Sequence, residues 1–381
     1  MQKPLIHKPL IIASLSANAY AKAAVLAGYQ VITLDAFADV DTQETAIQSH
    51  VVKQHQGNFD NVDFLIQLQK IVLVNCMGLV YGSGFDGDSH LLAQIAKLVP
   101  LIGNTAQIVA DIKYPPHFFT VLSSLRISYP PVSFLPMTDT TGWLIKYGGG
   151  TGGAHIQFAY KQNPIDNSAY FQREIIDAQA VSLLFLSDEK NTQVIGFNQQ
   201  LISPSATQPF RFSGVVSACP LQETTQHALL KIAQQLTQFY GLRGLNSLDV
   251  LIEPVGKHEK IHVLEVNPRL SASMACYVAK YPSLMRWHID ACMGNLKDTK
   301  ACISNRSESA TAMAIFYAPS RLVVDDIAWP NWVADIPVNQ SIIEYNAPVC
   351  TCYATANDYA AAKVLLNDRM QQLNQILATH N

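Results

Sequence analysis

Two acids interrupt apolar runs within one short stretch of the chain. Asp249 stands inside Leu248-Asp249-Val250-Leu251-Ile252, and Glu265 stands inside Ile261-His262-Val263-Leu264-Glu265-Val266-Asn267. Strand periodicity of two places Ile261, Val263, Glu265 and Asn267 on one face. A turn centred on Lys257 sets Asp249 across from Glu265, with Asn267 two residues further along. Like charges directly opposite one another destabilise a ladder, and burying them unpaired is costly or forces protonation. A divalent cation resolves the conflict. Two carboxylates and an amide oxygen are hard donors of the kind magnesium takes, with nucleotide phosphates completing the shell. The plainer reading is a solvated strand face whose acids keep the sheet soluble. Apolar neighbours on both sides of each acid favour the metal site, Asp249, Glu265 and Asn267.

A second element precedes this hairpin. Leu144-Ile145-Lys146-Tyr147 runs into Gly148-Gly149-Gly150-Thr151-Gly152-Gly153. Glycines let backbone N–H groups approach phosphate oxygens and adopt positive φ, and Lys146 adds a point charge on the strand face opposite Ile145 and Tyr147. A P-loop needs Gly-Lys-Ser/Thr and a following helix. Here the alternating Ala154-His155-Ile156-Gln157-Phe158 follows, so the loop reads as a hairpin flap over a triphosphate rather than a plain tight turn. Tyr170-Phe171-Gln172-Arg173-Glu174-Ile175-Ile176 reads only as a strand with a charged edge. His155 and His262, on alternating strands, read as hydrogen-bonded structural histidines.

These residues must be positioned by a larger frame. Residues 9–13, 18–27 and 30–34 read strand, helix, strand, with Gly28 closing the helix. Residues 71–74 read as a third strand, followed by Gly-rich residues 82–87 and a helix at 89–98. Alternating strands and helices argue a parallel sheet with right-handed crossovers, closing near Gly103. Pro115-Pro116 and Pro130-Pro131 bound a connector with a small helical piece over 104–136. Strands follow at 143–147, 154–160, 169–176, 180–187 and 192–198. Leu229, Ile232, Leu236 and Phe239 recur at helical spacing over 221–240, and Gly241 stops that helix. Strands at 245–253 and 261–267 and a helix at 359–378 complete the pattern. The fold class is α/β and α+β. Its expected domains are a Rossmann-like substrate domain over 1–103, a connector and small subdomain with the flap over 104–200, and a large subdomain with the metal site and a C-terminal extension over 201–381.

Composition narrows the partners. The 381 residues contain 49% apolar and 14% charged residues, enough apolar material for more than one core and too little charge for a disordered chain. A net charge of −3 leaves no basic surplus to grip a nucleic-acid backbone. No apolar run reaches the roughly 18–20 residues that span a bilayer. Lys3 and Lys8 before Leu10-Ile11-Ile12-Ala13, and Ala17-Asn18-Ala19, resemble a leader with a cleavage box. The βαβ pattern makes this segment a first strand entering a helix instead. Cys76, Cys219, Cys276, Cys292, Cys302, Cys350 and Cys352 are odd in number and scattered, as expected of reduced thiols in a cytoplasm. Cys350 and Cys352 read as small core residues of one strand rather than a metal or redox pair.

The order of elements resembles the ATP-grasp superfamily over roughly residues 9–355. Its most specific part is Glu265-Val266-Asn267-Pro268-Arg269, which is similar to that family's metal-binding E-x-N-P-R. The resemblance implies ATP with Mg2+, or Mn2+ in its place, held by Glu265, Asn267 and Asp249. It implies Arg269 on a phosphate or acyl phosphate, Lys146 on phosphate and residues 148–153 as the flap. It implies Gln172 and Glu174 at the adenine and ribose, and Lys113 as an earlier ATP lysine, although Asp111-Ile112-Lys113-Tyr114-Pro115-Pro116 departs from the usual Asp-Lys pattern. Asp177 stands where many members have glycine. Leu270-Ser271-Ala272-Ser273 resembles the branch of pyrrolysine-type and tyramine–glutamate ligases. The activity so implied is ATP-dependent carbon–nitrogen ligation of a small carboxylate to an amine through an acyl phosphate, in a cytoplasmic homodimer without membrane or nucleic-acid partners. The loop at 82–88 is expected to shape the substrate pocket.

Two other readings compete. Gly82-Ser83-Gly84-Phe85-Asp86-Gly87 spells G-x-G-x-x-G and suggests an NAD(P)-dependent oxidoreductase. It follows the third strand, however, and the first strand-to-helix turn, Ser14-Leu15-Ser16-Ala17, lacks glycine. A non-catalytic nucleotide-binding homologue is the other alternative. The retained acids, lysine and glycines argue against it.

Overall fold

The computed structural model describes residues 6–72, 75–159, 169–296 and 309–378. The chain opens with β1 (Ile6–Ala13), α1 (Asn18–Leu26), β2 (Tyr29–Asp35), α2 (Val40–Thr45) and β3 (Gln48–Val51). A short hairpin, β4 (Gln54–His55) and β5 (Asn58–Phe59), leads to α3 (Asn61–Val72) and β6 (Gly78–Tyr81). The first sheet runs β3-β2-β1-β6, all parallel. Leu10, Ile11, Ile12 and Ala13 are fully buried, as a strand covered on both faces requires. The chain steps from β1 to β2 and β3, then returns to β6 on the other side of β1. The crevice therefore opens at the carboxyl ends of β1 and β6, where the Leu15 N–H donates to Ser83 O at 3.1 Å.

The expected third strand at 71–74 is corrected. Ile71 and Val72 are the last two residues of α3, and the strand is β6, which begins at Gly78. Phe64, Leu68 and Ile71 recur at helical spacing and are fully buried, so the apolar residues at 71 and 72 end an amphipathic helix. Residues 73 and 74 lie outside the described residues, as do Tyr160 of the expected 154–160 strand and Cys302.

Three helices follow: α4 (Ser89–Ile95), α5 (Ala106–Lys113) and α6 (Pro115–Ser124). Pro115 and Pro116 occupy the first turn of α6, where a missing N–H costs nothing. A four-stranded antiparallel sheet, ordered β7-β10-β8-β9, comes next. It contains β7 (Val132–Ser133), β8 (Trp143–Tyr147), β9 (Ile156–Phe158) and β10 (Ala169–Arg173).

The remainder contains β11 (Gln179–Asp188), β12 (Thr192–Ile202), β13 (Phe212–Ser217), α7 (Glu223–Tyr240), β14 (Arg243–Val255), β15 (His258–Asn267), a 3-10 turn (Ala272–Tyr277) and α8 (Leu284–Cys292). After it come β16 (Ala310–Tyr317), β17 (Leu322–Val323), β18 (Val333–Ala334), β19 (Ile342–Ile343), β20 (Pro348–Ala356) and α9 (Tyr359–Ala378). The large sheet is β15-β14-β11-β12-β13-β16-β20-β18, so it runs from Gln179 across position 200 without a break. Helix α7 ends on Gly241 at φ +68° and buries Leu229, Ala233 and Leu236 with Leu183, Phe185, Leu248 and Val250 of the large sheet. Cys350 and Cys352 are buried free thiols of β20. Among the described residues no helix is long and apolar enough to cross a membrane.

Candidate active site

Asp249 and Glu265 face each other across β14 and β15 by a route different from the expected one. The hairpin turns at Gly256 and Lys257, so Val255 pairs with His258 and Val250 with Val263. The register then slips, and Asp249 pairs with Glu265 and Ser247 with Asn267. The slip leaves Leu264 as the extra residue of a β-bulge. A bulge breaks the period of two. Val263 and Glu265 therefore fall on opposite faces, which corrects the expectation that Ile261, Val263, Glu265 and Asn267 share one. Leu248, Val250, Val263 and Val266 enter the apolar core beneath α7, while Ser247, Asp249, Glu265 and Asn267 share the other face.

That face carries cations of its own. Lys113, the last residue of α5, places Nζ 3.2 Å from Glu265 Oε2, 2.8 Å from Asn267 Oδ1 and 3.1 Å from Asp86 Oδ1. Lys113 thus pairs directly with Glu265 and Asp86, and its charge acts on Asp249 only at longer range. Asp249 is 8% exposed. Burial and the neighbouring Glu265 charge push its carboxyl above the usual range. Partial burial acts in the same direction on Glu265, whose side chain is 38% exposed, but the charges of Lys113, Lys146 and Arg269 outweigh it and hold Glu265 ionised. Asn267 donates from Nδ2 to Asp249 Oδ2 at 3.0 Å.

Arg269 follows on the same strand exit and is 8% exposed. Its Nε donates to both oxygens of Asp86, at 3.0 and 2.8 Å. One terminal nitrogen reaches Asn267 Oδ1 at 3.3 Å and Thr151 Oγ1 at 3.5 Å. Burial works against the charges of Arg269 and Lys113, yet facing carboxylates keep both protonated. Asp86 was not among the expected site residues. It sits in the Gly82–Gly87 loop, and the sequence did hold a signal: Asp88 alone caps α4, through the N–H groups of His90 and Leu91. Asp86, the other acid of that loop, is left without a capping role.

Lys146 and Gln172 come from neighbouring strands. The ladder sets Lys146 opposite Tyr170 and Leu144 opposite Gln172, so these four side chains share one face. Ile145 and Phe171 pack on the other. Lys146 is 6% exposed, and burial pulls its ammonium down to about 8 despite the charges of Glu265 and Asp249. Gln172 is 1% exposed, and neither its amide oxygen nor its amide nitrogen has a partner among the described residues. A buried unpaired amide costs about 1–3 kcal/mol, so its retention points to a ligand. Glu174 lies beyond the end of β10. Its backbone N–H binds Gly142 O at 3.0 Å, and no hydrogen bond of its side chain joins it to this cluster. Asp177 adopts φ +61°, a conformation suited to glycine.

The Gly-rich flap closes over these groups. A Cβ on Gly149 would lie 2.6 Å from Gly87 Cα, so the flap tip rests on the loop after β6. A Cβ on Gly150 would lie 2.1 Å from the His155 ring, so glycine there leaves room for the imidazole. Burial holds His155 down to about 4 and therefore neutral, and its Nδ1 has no partner among the described residues. A cleft of about 370 Å³ remains between flap and loop. Its lining includes Asp86, Gly87, Lys113, Phe134, Gly148 and Gly149. The loop at 82–88 thus borders the cleft.

The donor set suits a hard divalent cation together with a polyanion. Among the described residues no three His, Cys, Asp or Glu side chains gather as a metal site. A cation would be held by Asp249, Glu265 and the Asn267 amide, with further oxygens from its ligand. Lys113, Lys146 and Arg269 supply positive charge for that ligand, and the unpaired Gln172 amide offers both a donor and an acceptor.

Residues 118–273 match the ATP-grasp domain family. No curated protein matches the chain in sequence. Among solved structures, the chain is similar to the biotin carboxylase domain of 2-oxoglutarate carboxylase from Hydrogenobacter thermophilus, a dimer in complex with MgADP, ADP and bicarbonate. That match has 13% identity and a TM-score of 0.71, over 96% of this chain and 89% of that one. Biotin carboxylase from Campylobacter jejuni gives 14% identity and a TM-score of 0.68, over 94% and 90%. An L-amino acid ligase from Bacillus licheniformis gives 12% and 0.69, over 96% and 97%. At these identities the likeness is one of fold, and the multidomain α/β and α+β architecture is that of ATP-grasp proteins.

Proposed function

We propose that this ATP-grasp protein is an ATP- and Mg2+-dependent ligase that joins a small carboxylate to an amine through an acyl phosphate. The observation that carries the reading is the shared face of Asp249, Glu265 and Asn267, ringed by Lys113, Lys146 and Arg269 beneath a glycine flap. Asp249, Glu265 and Asn267 would hold the metal, which when bound neutralises phosphate charge and orients the phosphates for in-line transfer. Lys146 and Arg269 stabilise the transferring phosphoryl group electrostatically. The Gln172 amide pairs with the base, satisfying the two atoms the fold leaves alone. Lys113 exchanges its carboxylate partners for phosphate. Glu174 is assigned to the ribose by resemblance only.

The substrate carboxylate oxygen attacks the γ-phosphorus and ADP leaves. The amine nitrogen then attacks the acyl carbon, the C–O bond to phosphate breaks, and the amine gives up a proton as the amide forms. The flap amides at 148–153 cover the acyl phosphate and exclude water. The narrower part of the proposal is an amino-acid ligation resembling that of the tyramine–glutamate branch, on the evidence of Leu270–Ser273, in a cytoplasmic homodimer. Within it, residues 1–103 serve as the substrate domain, 104–200 as connector and flap, and 201–381 as the part that carries the metal.

A phosphate-release screen with carboxylates and amines crossed pairwise tests the reading. Release that requires ATP, Mg2+ and one acid–amine pair is expected. Nicotinamide binding without any effect of ATP and Mg2+ on melting would favour the oxidoreductase alternative instead.

A further inference from the structure

A second group of carboxylates lies at the other side of the crevice, away from the metal face. Asp35 ends β2, Asp39 and Asp41 follow in the β2–α2 connection, and Asp335 reaches them from the chain after β18. Asp41 is fully engaged: it accepts from Asn18 Nδ2 at 2.5 Å, Lys22 Nζ at 2.8 Å, and the N–H groups of Asp335 and Ile336 at 3.2 and 3.0 Å. Asp335 accepts from Ser16 and Thr351. Asp35 accepts through Oδ1 from the N–H groups of Phe37 and Ala38.

Asp39 differs from the others. Its side chain makes no capping bond to α2 and has no hydrogen-bond donor among the described residues, although the residue is only 7% exposed. Burial, then the charges of Asp335, Asp35 and Asp41, drive its carboxyl up to about 8. The unmet acceptors extend beyond the acids. Asn18 is buried with its amide nitrogen on Asp41, and its Oδ1 is unpartnered, as is the buried Thr42 Oγ1. A native interior rarely leaves several acceptors without donors, and among the described residues Lys22 is the one cation paired with the group. What this place lacks is a multi-donor cation. An ammonium group, with one charge and three N–H donors, meets that need. The place is reachable, because Ser16, Ala36 and Asp335 are partly exposed. It lies at the carboxyl ends of parallel strands, where ligands of open α/β sheets bind. It also neighbours the phosphate-facing groups: the buried Tyr20 phenol feels Arg269, Asp335 and Asp86 together.

We propose that Asp39, with Asp35, Asp335 and the Asn18 amide oxygen, binds the protonated amino group of one substrate, and so selects molecules that carry an ammonium. This rests on the ligase reading only for the word substrate; the binding itself does not need it. The test is calorimetric titration of the full chain with the common L-amino acids and short aliphatic diamines, each against its N-acetylated form, without nucleotide and then with MgADP. At least one free amine should bind where its acetylated form does not. Asp39→Asn should weaken that binding by about tenfold or more while MgADP affinity stays at the wild-type value. Failure of every amine to outbind its acetylated form, or unchanged amine affinity in a folded Asp39→Asn, overturns the proposal. Amine binding in a protein that ignores MgADP would leave this site standing and remove the ligase reading.

Discussion

Asp249 faces Glu265 because the β14–β15 ladder slips by one residue at Leu264. Without that slip the pair would be Asp249 with Leu264, and Glu265 would point into the core beneath α7. The bulge thus turns an apolar strand into one that offers two carboxylates and an amide to the same cleft. An isosteric inversion tests its worth. Exchanging Leu264 and Glu265 should bury a charge or expose a leucine, lowering the melting temperature by several degrees, as loss of roughly 1–3 kcal/mol would. Differential scanning calorimetry reads this directly.

Asp86 holds two buried cations, Arg269 and Lys113, from the substrate-side loop. Breaking a buried ion pair by removing one partner typically costs about 3–5 kcal/mol. Asp86→Asn should therefore destabilise the free protein by an amount of that order in urea unfolding. Saturating MgATP should recover much of the loss by supplying phosphate to the same cations. Equal destabilisation with and without nucleotide would separate Asp86 from the nucleotide site.

Gln172 is the simplest case of a group kept for a ligand. Gln172→Leu removes two unsatisfied buried atoms, so the free protein should be as stable as wild type or more so, by up to about 1–3 kcal/mol. ATP affinity should fall about tenfold or more. Unfolding curves and nucleotide titration together check the opposite signs.

Lys146 gives the pH dependence. Burial lowers its ammonium to about 8, so below that pH the side chain is charged and above it increasingly neutral. Phosphate binds the charged form. Nucleotide affinity should fall as the pH rises above 8, by at most about tenfold per pH unit. Lys146→Arg, which stays charged throughout this range, should remove the decline. A decline that persists in this variant would assign the titration to another group.

Much of this was legible in the sequence, for identifiable reasons. The strand carrying Lys146 was read to the residue because Trp143–Tyr147 is bounded by Gly142 and the glycine run. Helix α7 was read from its spacing and Gly241. The pairing of Asp249 with Glu265 was expected from a turn on Lys257, yet arises from a turn half a residue earlier and a bulge, and no local signal announces a bulge at a leucine. The strand expected at 71–74 failed because a short apolar run reads alike as strand or helix end. Asp86 is missed as a site residue because its importance depends on contacts across 183 residues with Arg269, and His155 reads only as a structural histidine because a glycine turn, not its own strand pattern, brings it back beneath the flap.

The central claim is that Asp249, Glu265 and Asn267 hold magnesium on a nucleotide. ATP turnover measured against Mg2+ concentration in wild type and in Glu265→Gln tests it most directly. The account predicts that the variant keeps its circular dichroism and melting curve and loses Mg2+-dependent turnover. Turnover at the wild-type rate in Glu265→Gln would contradict it.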